Sequence, residues 1–226
     1  LGNLTNYILS NATYSLLIEV DNNMIKVIND RFKDYDNYTL ISQDILKVNI
    51  DEEILKIEEK NKIKFTNVKV VANLPYYITT PIIFKLLQDS KRISEVIVMV
   101  QKEVGDRFKA KPGSKDYNSL SVFLQYYYDI EKVCLVSKNC FIPVPKVDSI
   151  VVKFTKKDNL LYVKNEEEFF KFVKSSFKMK RKNLRNNLRD YDLLKVCNAL
   201  NDIGKDLTYR AEQLSIEDFV YVFNKI

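Results

Sequence analysis

The run Val68-Lys69-Val70-Val71-Ala72 ends in Asn73-Leu74-Pro75-Tyr76, and this junction restricts the fold more than any other stretch. Three valines and an alanine among five residues read as a short buried strand. Pro75 cannot donate to a β-ladder and fixes the backbone of a turn. Further on, Thr80 reads as a helix N-cap and Pro81 as the first helical residue. A buried strand, a tight turn and a helix form one unit of an α/β sheet. In such sheets ligands lie outside the carboxyl ends of the strands, where Asn73 to Tyr76 would sit.

The rest of the chain repeats this alternation. Ser15 to Val20 reads as a buried strand, and Met24, Ile25, Val27, Ile28 and Phe32 fall at helical spacing over Asn22 to Phe32. Tyr38 to Ile41 is predicted as a strand, Asp51 to Glu59 as a helix and Thr80 to Gln88 as another helix. Glu95 to Gln101 is a further buried strand, Tyr117 to Tyr127 a helix, and Val133 to Ser137 with Ile150 to Phe154 an antiparallel hairpin. The pattern predicts an α/β class with a mostly parallel sheet covered on both faces. Lys156 to Val163 has linker composition, and from Asn165 the texture is helical only: Glu166 to Phe177, Arg181 to Leu188, and a last helix capped by Ser215. A small all-helical C-terminal domain follows the α/β domain.

A chain of 226 residues holds one large domain or a large and a small one. With 46% hydrophobic and 29% charged residues it reads as globular. No apolar run approaches the roughly 20 residues of a membrane span, and no signal peptide is visible, so no membrane partner is expected. Cys134, Cys140 and Cys197 are odd in number and lack metal-ligand spacing, which argues against a disulfide framework and a metal site. They are expected as reduced core thiols of a cytoplasmic, monomeric protein.

The formal charge of +6 is unevenly placed. Lys174, Lys178, Lys180, Arg181, Lys182, Arg185 and Arg189 fall in one stretch without a single acid. A charge run is by default a solvated helix face. The lack of compensating acids, with Asn183, Asn186 and Asn187 interleaved, points instead to a partner rich in phosphate.

The Asn-Leu-Pro-Tyr turn suits a particular substrate group. An exocyclic base amine is a poor nucleophile because its lone pair is delocalised into the ring. The Asn73 side-chain oxygen and the Leu74 carbonyl can accept its two N–H bonds and favour the pyramidal form. Tyr76 offers a ring on which a base can stack. The amine becomes strongly acidic once alkylated, so a chain without histidine can carry this chemistry.

Asn73-Leu74-Pro75-Tyr76-Tyr77-Ile78-Thr79-Thr80-Pro81 resembles the catalytic motif of the rRNA adenine N6,N6-dimethyltransferases, the KsgA-type family. Phe141-Ile142-Pro143-Val144-Pro145-Lys146-Val147-Asp148-Ser149 resembles that family's second signature, and the two motifs stand in the family's order. The resemblance runs the length of the chain. It implies a Rossmann-like methyltransferase domain over residues 1–156 and a helical RNA-docking domain over 164–226. Gly2-Asn3-Leu4-Thr5 is similar to the tail of the family's cofactor loop, so the first strand and the earlier glycines are expected to be missing.

By this resemblance the cofactor is S-adenosylmethionine, held by Gly2, Glu19, Asp44 and Asn73, with ribosomal RNA of the small subunit as substrate. Asn73, Leu74, Pro75, Tyr76 and Phe141 form the catalytic set, Tyr76 and Phe141 sandwiching an extruded adenine. Lys102, Arg107, Lys146, Lys178, Lys180, Arg181, Lys182 and Arg185 would meet RNA. Read as single residues, Glu19 is more often just a solvated strand-end acid, Asp44 a loop or helix cap and Phe141 a core residue beside a turn. The alternatives are a large-subunit dimethylase of the macrolide-resistance type, or an rRNA-binding assembly factor without catalysis.

Overall fold

The computed structural model describes residues 2–88 and 90–226. The chain divides into two compact units, Leu1–Lys69 with Leu74–Ser94, and Val70–Asn73 with Glu95–Ile226.

In the first unit, α1 (Asn3–Asn11) leads into β1 (Ser15–Glu19), α2 (Asn22–Arg31), β2 (Tyr38–Ser42) and α3 (Ile50–Asn61). Strands β1 and β2 pair in parallel, Ser15 opposite Tyr38 and Glu19 opposite Ser42. Leu9, Ile28 and Phe32 form a small core against Leu17 and Leu40. Helix α3 starts where the Asn49 side chain accepts from the Glu52 N–H, and it buries Ile50, Ile54 and Ile57 on one face. Its Glu58 takes a bidentate pair from Arg92, at 2.9 and 2.6 Å, and accepts from the Phe65 N–H. Helix α4 (Thr79–Gln88) buries Ile82, Ile83, Leu86 and Leu87. It begins at Thr79, so Pro81 stands inside the first turn, where an N–H has no intrahelical acceptor in any case.

A four-stranded sheet runs in the order β3 (Val68–Asn73), β4 (Ile93–Gln101), β6 (Ser149–Lys156), β5 (Tyr128–Val136). Strands β4 and β6 are antiparallel, as are β6 and β5. The antiparallel pairing expected of the last two strands is therefore present, while β1 and β2 supply a parallel pair. Val96, Val98, Val100, Val152 and Phe154 are fully buried. Helix α5 (Lys102–Phe108) packs on this sheet so tightly that a Cβ at Gly105 would lie 2.3 Å from Ile150 Cγ2.

Helix α6 (Ser119–Tyr127), with an Asn118/Ser121 capping box, shares one core with the helices that follow the sheet. These are α7 (Glu166–Ser176), α8 (Leu184–Asn187), α9 (Leu193–Asn201) and α10 (Ile216–Lys225). Phe169, Phe172, Leu188, Leu200, Phe219 and Val222 fill that core. Ser215 caps α10 as expected. Two expectations are corrected. The helix anticipated from Arg181 starts only at Leu184, because the Asn183 side chain caps it from the Asn186 N–H. The cysteines are free, as expected, but Cys134 and Cys140 are exposed rather than in the core. Among the described residues no helix is long and apolar enough to cross a membrane, and no group of acids and cysteines is arranged to hold a metal ion.

Candidate active site and nucleic-acid interface

Strands β1, β2 and β3 each deliver a polar side chain at the carboxyl end. Glu19 ends β1, and its Oε1 accepts from the N–H groups of Val20 and Asp21, at 2.8 and 2.9 Å. The turn thus fixes one carboxylate oxygen. Asp44 follows β2 and accepts from the Leu46 N–H at 3.0 Å, capping a short 3-10 turn over Ile45–Lys47. Since Glu19 is opposite Ser42 in the ladder, both acids lie at the same end of the parallel pair. Asp21 caps α2 through the Asn23 N–H. Gly2 precedes α1 with φ +76°, a left-handed conformation, and the Phe32 ring lies 3.2 Å from where its Cβ would be. Both features favour glycine there.

Asn73 is the last residue of β3 and is exposed, whereas Leu74 is buried and anchors the turn. The Pro75 carbonyl accepts from the Ile78 N–H and the Thr79 hydroxyl, which closes the turn into α4. Among the described residues nothing donates to the Asn73 side-chain oxygen or to the Leu74 carbonyl. Two acceptors therefore stand open side by side in the chain. Tyr76 is half-buried on the turn.

Phe141 is half-buried after the 3-10 turn Lys138–Cys140, and a cis peptide joins Ile142 to Pro143. Asp148 organises this loop: its Oδ1 accepts from the Lys138 N–H and its carbonyl from the Lys102 N–H, both at 2.9 Å. A cavity of about 420 Å³ opens beside it, lined by Lys102, Lys138, Lys146, Glu103, Asp106 and Asp148 among others. Lys102 pairs with Asp106 at 2.9 Å, and Lys132 reaches the other oxygen of the same carboxylate at 2.6 Å. These bonds hold the Asp106 carboxyl below its ordinary pKa and lift that of Lys102. Arg107 pairs with Glu103. Lys102 and Arg107 are thus engaged within α5 and its surroundings, while Lys146 is exposed. Lys138, which sequence reasoning did not single out, also lines this cavity; its only signal was its place just before the second signature.

All seven cations from Lys174 to Arg189 are exposed. Lys180, Arg181 and Lys182 lie on the turn between α7 and α8 rather than on a helix. Asn187, only 6% exposed, staples that turn from beneath. Its Nδ2 donates to the carbonyls of Ser176, Met179 and Lys182, and its Oδ1 accepts from the Met179 N–H. Asn186 accepts from Arg189. The interleaved asparagines shape the basic turn, a role their spacing did not reveal.

The whole chain, residues 1–226, matches the model of the ribosomal RNA adenine dimethylase family. The chain belongs to this family. It is a methyltransferase of ribosomal RNA adenine dimethylase type. A Bacillus cytotoxicus protein named ribosomal RNA small subunit methyltransferase A is 40% identical over 235 residues, covering 100% of this chain and 78% of its own. The Staphylococcus aureus protein of that name is 42% identical over 232 residues, covering 100% and 77%. A dimethyladenosine transferase from Plasmodium falciparum superposes with a TM-score of 0.75 at 26% identity, over 98% of this chain and 84% of its own. The 23S rRNA methyltransferase ErmE, with a TM-score of 0.72 at 21% identity over 99% and 86%, shares the fold. The Rossmann-like α/β class expected from the motifs is thus present.

Proposed function

We propose that this dimethylase transfers methyl groups from S-adenosylmethionine to N6 of two adjacent adenosines in small-subunit ribosomal RNA. The observation that carries the reading is the pair of open acceptors, Asn73 Oδ1 and the Leu74 carbonyl, at the end of β3. They accept the two N–H bonds of the target amine and direct its lone pair toward the methyl group. Pro75 fixes the carbonyl's direction. Tyr76 stacks on the adenine, and Phe141 is the second ring that the family resemblance assigns to the base.

The residues present fit the cofactor. Glu19, its Oε1 held by two backbone amides, presents the other oxygen to ribose hydroxyls. Asp44 is held by one backbone amide, that of Leu46, at the same sheet end, and Gly2 opens α1. S-adenosylmethionine supplies an electrophilic methyl group on sulfur, and the chain contributes mainly positioning. The exposed cations from Lys174 to Arg189, with Lys146, dock RNA phosphates, and residues 164–226 serve as the docking domain.

A large-subunit substrate is the second reading, favoured only by the fold shared with ErmE. Leu74, where that group carries isoleucine, and the Lys146-Val147-Asp148 sequence favour the small subunit, as do the names of the 40–42% identical relatives. Labelled methyl transfer to purified small- and large-subunit particles separates the readings. Label in small-subunit RNA alone is expected. Label confined to large-subunit RNA, or RNA binding without any transfer, would overturn the proposal.

A further inference from the structure

The second signature exposes apolar surface that the reading above leaves unused. Ile142 is 101% exposed, Val144 59% and Val147 43%. Isolated surface apolar residues need no explanation, but three exposed ones within six residues of one loop are more than scatter. The loop is anchored at both ends. Asp148 bonds to Lys138 and Lys102, and Ser149 is buried in the β6 ladder. Pro143 and Pro145 restrict the backbone between these anchors. The isoleucine is therefore held out in solvent on a constrained support.

What surrounds it indicates what it meets. Lys138 and Lys146 flank the loop and are exposed, and no ion pair involves either among the described residues. Phe141, assigned to the target base, is the adjoining residue. Apolar side chains with neighbouring cations suit a nucleic acid, in which a wedge between base steps meets stacked rings while cations meet the phosphates. Extruding a base costs its stacking energy and leaves a gap in the stack.

We propose, resting on the adenine-methylation reading, that Ile142 is a wedge that enters the RNA stack beside the target adenosine, while Lys138 and Lys146 hold the flanking phosphates. Ile142 touches substrate RNA but not the reacting atoms, so its effect depends on whether the target must be unstacked.

The test uses the full-length enzyme, with Ile142→Ala and the conservative Ile142→Leu, on two RNAs. One is a hairpin in which the target adenosine is stacked, with 2-aminopurine beside it. The other is an unstructured oligonucleotide of the same local sequence. Ile142→Ala should lose on the order of tenfold or more in turnover on the hairpin, since the wedge would offset the cost of unstacking a base step. It should stay within about twofold of wild type on the unstructured RNA, and Ile142→Leu should restore hairpin turnover. The rise in 2-aminopurine fluorescence on wild-type binding should be absent for Ile142→Ala. An unchanged hairpin turnover, or an equal loss on both RNAs, would overturn the wedge. A loss seen only on assembled ribosomal particles would overturn it in favour of a protein contact. If wild type methylates neither these RNAs nor purified small-subunit particles, the reading of the whole site falls, an outcome distinct from failure of the wedge alone. Transfer to particles alone leaves the 2-aminopurine signal on the hairpin to decide the wedge.

Discussion

Among single residues, Asn73 is the one on which methyl transfer should depend most. Replacing it with Ala removes an acceptor that matters most as the amine pyramidalises, so the loss should fall on kcat. A loss of about 10²-fold or more is expected, by analogy with removal of one transition-state hydrogen bond. RNA affinity should hold, because Asn73 is exposed and bonded to no described side chain. Steady-state kinetics with a filter-binding control check both halves. Glu19→Ala should raise the KM for S-adenosylmethionine roughly ten- to a hundredfold, the equivalent of about 1.5–3 kcal/mol for one charge-assisted bond. Glu58 gives a pH prediction. Arg92 and the Phe65 amide hold its carboxyl at about 2, well below the ordinary 4.5. Its contribution is complete above about pH 4.5 and lost as pH falls toward 2, so Glu58→Gln should flatten the acid side of the stability curve measured by denaturant titration. Strand-end acids were legible as polar groups at the carboxyl edge of the sheet. Their local bonds were legible only as alternatives, since the same carboxylate can cap a turn with one oxygen and offer the other to a ligand. Asn187 was not legible at all. In a run of lysines and arginines it looks like one more polar contact, and only the fold shows it buried beneath the turn.

At the scale of elements, close packing leads to the next expectation. Gly105→Ala would drive a methyl group into Ile150 and should destabilise the protein by about 1–3 kcal/mol, read as a lower Tm. Helix α5 was missed by sequence reasoning for the same reason. It is seven residues long and carries a mid-helix glycine, a poor helix former, so packing on β6 rather than propensity fixes it. The strands were legible in position because valine and isoleucine cluster between turn residues, but β3 is not the buried strand expected, since its residues alternate between half-buried and exposed. Helices α3 and α7 were legible because their buried positions recur at helical spacing. The basic stretch misled in part. Its periodicity suggested one helix from Arg181, whereas Asn183 delays the start to Leu184 and leaves the three densest cations on a turn. Asn187→Ala should strand the backbone groups of that turn at a cost of about 1–3 kcal/mol per buried unpaired group. Faster amide exchange confined at first to residues 177–182 would show it.

At the scale of the whole molecule, the concentrated charge and the reactive turn should be separable. Neutralising Lys180, Arg181 and Lys182 together should weaken binding to ribosomal RNA and reduce the salt slope by roughly one unit per contact. Affinity for S-adenosylmethionine should not change. A slope unaltered by the triple change would make the stretch a solvated surface and move RNA docking to Lys138 and Lys146. The central claim, that this dimethylase modifies adenines of small-subunit RNA through the Asn73 turn, has a direct measurement. Dimethylated adenine lacks the N–H bonds needed for pairing, so it stops reverse transcriptase. Primer extension on small-subunit RNA should show a stop at two adjacent adenosines in cells carrying the gene. The stop should vanish on deletion, return with the wild-type gene and fail to return with Asn73→Ala expressed at equal level. A stop that persists after deletion, or that Asn73→Ala restores in full, would contradict the account.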